Sequence, residues 1–224
     1  MGRIIDLSTP IRAGHFRWPT EQTLSKSFAA GDTAQATRIS VSCHAFTHMD
    51  APRHFDPEGY TTDTLTLEQT IGPAAVVDVQ AVGPNAAIRA EHVEAAGGHV
   101  REGDIVLLRA GWDLHESIET PEFWTRAPWV EPDAAEWLYG RGIKAIGYDF
   151  PQDYCIRNLV LGDRMPEPEE NVTHQILLKR GVIMMEYLCN MTAIRGERCQ
   201  VYALPLKVPD ADGAPSRIIA IEED

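Results

Sequence analysis

Three histidines and an aspartate crowd the stretch "HAFTHMDAPRHF": His44, His48, Asp50 and His54. Imidazole nitrogens and carboxylate oxygens are donors that zinc, manganese and iron accept, and a metal site with an open position can activate water. The spacing of four, two and four residues decides which backbone could gather them. On an α-helix His44 and His48 would share a face, but Asp50 would lie about 240° round the axis from His44, at 3.6 residues per turn. In an extended chain side chains alternate, so all four even-numbered positions would point one way. The preceding "RISVS" has strand character, and Pro52 biases Ala51 toward extended geometry. A strand running into a loop therefore gathers all four groups. The competing reading is a surface loop on which each polar group meets water.

A centre with open positions needs donors from elsewhere in the chain. Two candidates stand far downstream: His174 in "NVTHQILLKRG" and Glu186 in "GVIMMEYL". Glu186 interrupts the apolar run Val182, Ile183, Met184, Met185, where an ionised carboxylate is costly to bury without a partner. A metal ion would serve, and so would an Arg or Lys, or a strand end near water. Taken alone, His174 reads more readily as an ordinary helix histidine. Trp18, Phe46, Phe55 and Trp112 are candidates for an apolar wall around an aromatic or planar substrate, although each by itself reads more readily as a core or interface aromatic. Asp149 either supports the site or caps a turn. His15, His92, His99 and His115 have no partner pattern and are expected at the surface or an interface.

These groups must be carried by regular elements. Strand patterns appear in "RIIDLS", "ATRISVSCH", "AAVVDVQ", "DIVLLRAG", "AIGYDF", "GVIMMEYL" and "VYALPLKV". Helix patterns are fewer: a short "TLEQTIG", then "RAEHVEAAGG" closing on glycines. "EPDAAEWLYGRG" has Pro132 placed to start a helix and Gly140 to stop it. "ENVTHQILLKRG" offers Asn171 or Thr173 as N-cap and Gly181 as the stop. The C-terminal "PDADGAPSRIIAIEED" reads as a turn and a last short strand. Helices lying between more numerous strands give an α/β class with a mixed sheet.

Hydrophobic residues at 44% and charged residues at 24% predict a packed core. With no repeat, low-complexity tract or long linker, one domain spanning residues 1–224 is the economical organisation. A net charge of −13 disfavours nucleic acid and anionic membrane surfaces as partners and leaves a small-molecule substrate. No apolar run approaches the roughly 20 residues of a transmembrane helix. The N-terminus lacks a secretory signal pattern, and Asp6 stands where a myristoylation start wants Ser or Thr. Four scattered cysteines, with no CxxC pair, read as reduced thiols, so a cytoplasmic location is expected.

The pattern His44-x-x-Thr47-His48-x-Asp50-x-Pro52-x-His54-Phe55 resembles the signature H-x-G-T-H-x-D-x-P-x-H of the metal-dependent cyclase family, which includes bacterial kynurenine formamidases and isatin hydrolases. A histidine before "LL" and a glutamate twelve residues later, here His174 and Glu186, are similar too. So are "RWPT", "LLRAGW" and "ALPLKVPDADGAPSRIIAI", which extends the likeness over nearly the whole chain. The resemblance implies a swivelling β/β/α fold, dimeric or tetrameric assembly, and hydrolysis of amide, formamide or cyclic amide bonds. It implies that His44, His48 and Asp50 bind one metal, and that Asp50, His174 and Glu186 hold or bridge a second where the centre is binuclear. One or two zinc or manganese ions per chain follow. It casts His54 as the catalytic histidine, taking a proton from metal-activated water and returning it to the leaving nitrogen. Three positions depart from the family pattern: Phe46 stands at the motif glycine, Tyr187 follows the glutamate where asparagine is common, and "GYDFPQD" lacks a usual serine. The rival readings are hydrolysis of a lactone or another cyclic compound, and a non-catalytic member in which Phe46 blocks the pocket. Retention of His54 argues against the second.

Overall fold

Ala74 to Val77 and Ile105 to Leu108 are sealed from solvent at every residue. Strands with two dry faces need a layer on each side. The computed structural model, which describes residues 2–162 and 164–222, supplies both layers. Among the described residues the strands are β1 (Arg3–Asp6), β2 (Glu21–Lys26), β3 (Ala36–Ser40), β4 (His48–Asp50), β5 (Ile71–Asp78) and β6 (Ala87–Ile88). They continue with β7 (Ile105–Arg109), β8 (Trp129–Val130), β9 (Ala145–Tyr148), β10 (Ile183–Glu186), β11 (Arg198–Pro205) and β12 (Gly213–Glu222). The α-helices are short: α1 (Leu67–Thr70), α2 (Ala90–Ala96), α3 (Pro121–Thr125), α4 (Pro132–Gly140), α5 (Ile156–Leu161) and α6 (Val172–Ile176).

The main sheet runs β1-β12-β11-β5-β7-β9-β10-β4, and β12 pairs with β4 as well. That pairing closes seven strands into a barrel-like ring. β12 spans the closure: its residues Gly213 to Pro215 pair with β4, while Ile219 to Glu222 pair with β1. β5, β7, β9 and β10 run parallel, whereas β4 meets β10 antiparallel, so the sheet is mixed. Alternation sorts the side chains. Met49, Val76, Leu107, Met185, Val201 and Ile218 fill the ring interior in one cluster. Val77, Leu108, Tyr148 and Met184 point outward and pack with Val93 of α2 and Ala134, Ala135 and Leu138 of α4. Each fully buried aliphatic side chain on either face contributes about 1.5–3 kcal/mol.

The α/β class and the mixed sheet agree with the segment pattern. α4 starts on Pro132 and ends at Gly140, and the chain then reverses through Gly142 at φ +68°. Two expectations change. β12 is ten residues long rather than a short last strand, because one edge serves two partners in turn. "ATRISVSCH" does not run on as a strand: residues 36–40 form an exposed hairpin with β2, and the chain turns through residues 43–47 before β4. No helix among the described residues is long and apolar enough to cross a membrane.

Candidate metal centre and active site

β4 and β10 are antiparallel neighbours, with His48 facing Glu186 and Asp50 facing Met184 across the ladder. Met49 and Met185 turn into the ring, so His48, Asp50 and Glu186 project from the opposite face into the helical layer. His174, on α6, descends on them from that layer. All four residues are buried. His44 comes from the turn before β4, and His54 ends the 3₁₀ turn Pro52–His54 that follows it. The four groups of the first motif do converge. They do so through a turn, a three-residue strand and a 3₁₀ turn, not through one extended run.

Each histidine is held by one nitrogen, which fixes where the other points. His48 donates from Nδ1 to the Phe46 carbonyl at 2.8 Å, leaving Nε2 for the interior. That Nε2 lies 3.2 Å from Asp50 Oδ1 and 3.6 Å from Glu186 Oε2. His174 places Nδ1 2.6 Å from Asp153 Oδ2, while its Nε2 lies 3.3 Å from Glu186 Oε1 and 3.7 Å from Asp50 Oδ2. His44 sits between two carboxylates, with Nδ1 2.8 Å from Asp50 Oδ1 and Nε2 2.9 Å from Asp212 Oδ2. His54 stacks on His44 at 3.9 Å between ring centres and sets Nδ1 3.2 Å from Asp212 Oδ2. Gln152 donates to Glu186.

The protonation pattern follows from these contacts. Burial opposes charge on His44, but Asp50 and Asp212 overcome it and raise its pKa to about 9. Burial likewise opposes charge on His174, and Asp153, Asp50 and Glu186 hold it well above the usual imidazole range. Burial would raise Asp50, yet His48, His44 and His174 keep it well below the carboxylate range. Burial lowers the pKa of His54, so His54 favours the neutral form that a base requires.

Among the described residues, two of the candidate ligand atoms have no hydrogen-bond partner: His48 Nε2 and Asp50 Oδ2. A buried unpaired acceptor costs about 1–3 kcal/mol, and here two of them converge among further nitrogen and oxygen donors. Donor atoms of His44, His48 and Asp50 lie within 4.8 Å of one another, as do those of Asp50, His54 and His174 and those of His44, His54 and Asp212. A divalent cation satisfies such a set, and its nitrogen and oxygen donors fit zinc or manganese chemistry. His48 and Asp50 could hold one ion, joined by His44 once the proton it shares with Asp50 is displaced, and Asp50, His174 and Glu186 could hold a second.

The cluster opens into a cavity of about 420 Å³. Trp18 and Phe55 line it, together with Tyr187, Leu159 and Met165. Phe46 and Trp112 do not form its wall. Trp112 is buried and donates to the Phe123 carbonyl at 2.8 Å. Phe46 is fully buried against Trp18, ring centres 4.8 Å apart, and leaves the cavity open. Its φ of +57° lies in the left-handed region, where glycine fits without strain and a bulky residue does not. Tyr187, immediately after Glu186, has a similar φ of +54°. Thr47 joins the two segments by donating to the Tyr187 carbonyl at 2.8 Å. Asp149 lies outside the cluster and accepts from the Ala110 and Gly111 amides, which caps the turn after β7. His15 is not a surface residue: it is buried against Trp18 and donates to the Ile118 carbonyl.

Sequence reasoning missed Asp212, Asp153 and Gln152. Asp212 stands in "DADG", which reads as an ordinary turn. Gly213 beside it is required by space, since a Cβ there would lie 2.6 Å from His44 Cε1 and 3.1 Å from Asp50 Oδ1. Asp153 and Gln152 follow β9 in "FPQD", two polar residues after a buried strand, which is a weak signal for a site.

The model of the Cyclase family matches residues 5–152. The kynurenine formamidase of Erythrobacter litoralis is 30% identical, with 98% of this chain and 94% of that protein covered. That of Salinibacter ruber is 29% identical over 96% of both chains. Among solved structures, a predicted metal-dependent hydrolase from Bacillus stearothermophilus superposes with a TM-score of 0.74 at 26% identity over the whole of both chains. Isatin hydrolase A from Labrenzia aggregata shares the fold with a TM-score of 0.80 at 21% identity, covering 99% of this chain and 94% of that one.

Proposed function

The chain belongs to the Cyclase family, and we propose that it is a divalent-metal-dependent hydrolase that opens a carbon–nitrogen bond of a small aryl formamide or cyclic amide. The observation that carries this reading is the buried meeting of His48, Asp50, His174 and Glu186 around two unpartnered donor atoms, beside an open cavity. The kynurenine formamidases to which the chain is similar end to end supply the reaction class. Zinc or manganese, one or two ions per chain, suits the two overlapping donor groups.

When bound, such a cation supplies Lewis acidity that makes water nucleophilic near neutral pH and polarises a carbonyl. The protein residues do the rest. His54 faces the cavity with Nδ1 engaged by Asp212, which leaves Nε2 to accept the proton of the attacking water and deliver it to the leaving nitrogen. Asp212 acts as a positioning residue, in the way a carboxylate orients a catalytic imidazole in other hydrolases. Asp153 anchors Nδ1 of His174, so that Nε2 is the nitrogen turned toward Asp50 and Glu186 and would present a lone pair once a cation displaces its proton. Trp18, Phe55 and Tyr187 offer flat apolar surface to a planar substrate and keep bulk water from the reacting bond.

A homodimer or homotetramer is the assembly we expect, supported by the hairpin β2–β3. It is exposed throughout β2 and carries Leu24, Phe28 and Ile39 in the open. The four free cysteines support a reducing, cytoplasmic setting. The function is tested by presenting metal-loaded protein with formanilides, cyclic amides and lactones. Formanilide hydrolysis abolished in His54→Ala at unchanged metal content is expected. Turnover that survives His54→Ala, or lactone cleavage alone, would overturn the reading.

A further inference from the structure

The cavity wall contains an arginine that the reaction does not use. Arg17, between the buried His15 and Trp18, lines the cavity alongside Trp18, Tyr187 and the catalytic cluster. Its guanidinium lies over the Trp124 ring with Cζ 4.4 Å from the centroid, and 5.9 Å from that of Trp18. Contact with the Trp124 ring restrains the guanidinium, and its N–H edge remains the group through which it could meet an in-plane acceptor. Nη1 is buried and, among the described residues, has no hydrogen-bond partner. Among the described residues no carboxylate pairs with this guanidinium, although the chain has 33 acidic residues against 20 Lys and Arg. Eight other arginines do find one, among them Arg109 on Asp78 and Arg198 on Asp104. A cation held rigid, unpaired and partly dry in an otherwise acidic protein is a binding group waiting for an anion.

We infer that Arg17 is the specificity residue of this cavity and receives a carboxylate carried by the substrate, separate from the carbon–nitrogen bond that is cut. The inference rests on the hydrolase reading for what is cut, but the binding claim stands on Arg17 itself. The planar guanidinium fork matches a carboxylate bidentately. A dianionic phosphate would meet a single arginine here and the nearby carboxylates of Asp50 and Glu186, which disfavours it. The scissile group must reach His54 and the metal donors, so the carboxylate is a second handle that orients a planar substrate between Arg17 and the cluster. The same contact raises the local concentration of an anionic substrate that the net charge of −13 otherwise repels.

The test uses full-length, metal-loaded protein and two matched probes: ortho-formamidophenylacetate and its neutral primary amide. Wild type is expected to favour the acid by about 10–100-fold in kcat/KM, the effect of a charge-assisted hydrogen-bond pair, with the difference in KM. In Arg17→Met, which keeps the apolar stem over Trp124, the acid-to-amide ratio should fall to about one. Arg17→Lys, with charge but no fork, should restore part of it. In parallel, calorimetry compares phenylacetate with phenylacetamide on the same proteins. If neither formamide is hydrolysed but wild type binds phenylacetate about tenfold tighter and Arg17→Met erases the difference, Arg17 keeps its role and only the hydrolase reading falls. Equal affinity of wild type for acid and amide, or a ratio that Arg17→Met leaves unchanged, overturns the inference.

Discussion

Replacing Gly213 by alanine adds a single methyl group at the point where the ring of strands closes. That Cβ would lie 2.6 Å from His44 Cε1, 3.0 Å from His44 Nδ1 and 3.1 Å from Asp50 Oδ1. Carbon–carbon contact needs about 3.4 Å or more, so the imidazole must retreat by roughly 0.8 Å. It has no slack, being bonded at 2.8 Å to Asp50 and 2.9 Å to Asp212. A retreat of that size breaks one of these bonds and moves a candidate ligand. The backbone cannot yield instead, because Gly213 is in register with Asp50 across the β12–β4 closure. Misplacement by about 1 Å costs on the order of 100-fold in turnover, and disturbed ligand support costs about 10–100-fold in metal affinity. Gly213→Ala should therefore weaken zinc or manganese binding by at least tenfold, read by competition with a chelating dye. Turnover at saturating metal should fall further. Far-ultraviolet circular dichroism should be unchanged, since the methyl meets side chains at the cavity and not the ring interior. A variant that binds metal and turns over like wild type would refute the claim that His44 is wedged between Asp50 and Asp212.

Asp153→Asn keeps the shape beside His174 but no longer fixes its proton on Nδ1, so metal affinity should fall about 10–100-fold with the fold intact; an unchanged dissociation constant would remove Asp153 from the site. Phe46→Gly relieves about 1–2 kcal/mol of left-handed strain but forfeits a fully buried ring worth about 3–5 kcal/mol, so the melting temperature should drop by several degrees; a rise would show that strain outweighs packing there. Asp149 is pushed up to about 7 chiefly by burial, with Asp113 adding to it against the amides of Ala110 and Gly111. A carboxyl whose pKa is raised by folding adds stability that is complete below the unfolded value near 3.8 and is lost as pH rises through about 7. In thermal melts of metal-saturated protein, wild type should lose more stability between pH 5 and pH 8 than Asp149→Asn, and parallel profiles would contradict that assignment.

What could be read from the sequence was chemistry tied to residue type and short spacing. His44, His48, Asp50 and His54 share 11 residues, so any tight local path brings them together, and their convergence survived an incorrect path. The extended-chain reading failed because periodicity does not register a three-residue strand flanked by turns. Glu186 was visible as a charge inside an apolar strand, whereas its position opposite His48 depends on a ladder between segments 138 residues apart. Asp212 and Asp153 carried no signal of their own, since acidic residues in turns are common and their partners are remote in sequence. Phe46 looked like a wall or a plug because its type was known and its backbone was not; φ of +57° turns the ring into the core. Trp112 and His15 failed for the same reason, burial being decided by neighbours that composition does not name.

The central claim is that donors from two distant segments, His44 to Asp50 and His174 to Glu186, together hold a divalent cation. It is tested most directly by elemental analysis of metal per chain after reconstitution and desalting, on wild type, Asp50→Ala and Glu186→Gln. One to two equivalents of zinc or manganese are expected in wild type, with all of it lost in Asp50→Ala and at least part lost in Glu186→Gln while the fold persists. A wild-type protein that retains no metal after reloading, or a Glu186→Gln variant that retains every equivalent at unchanged affinity, would contradict it.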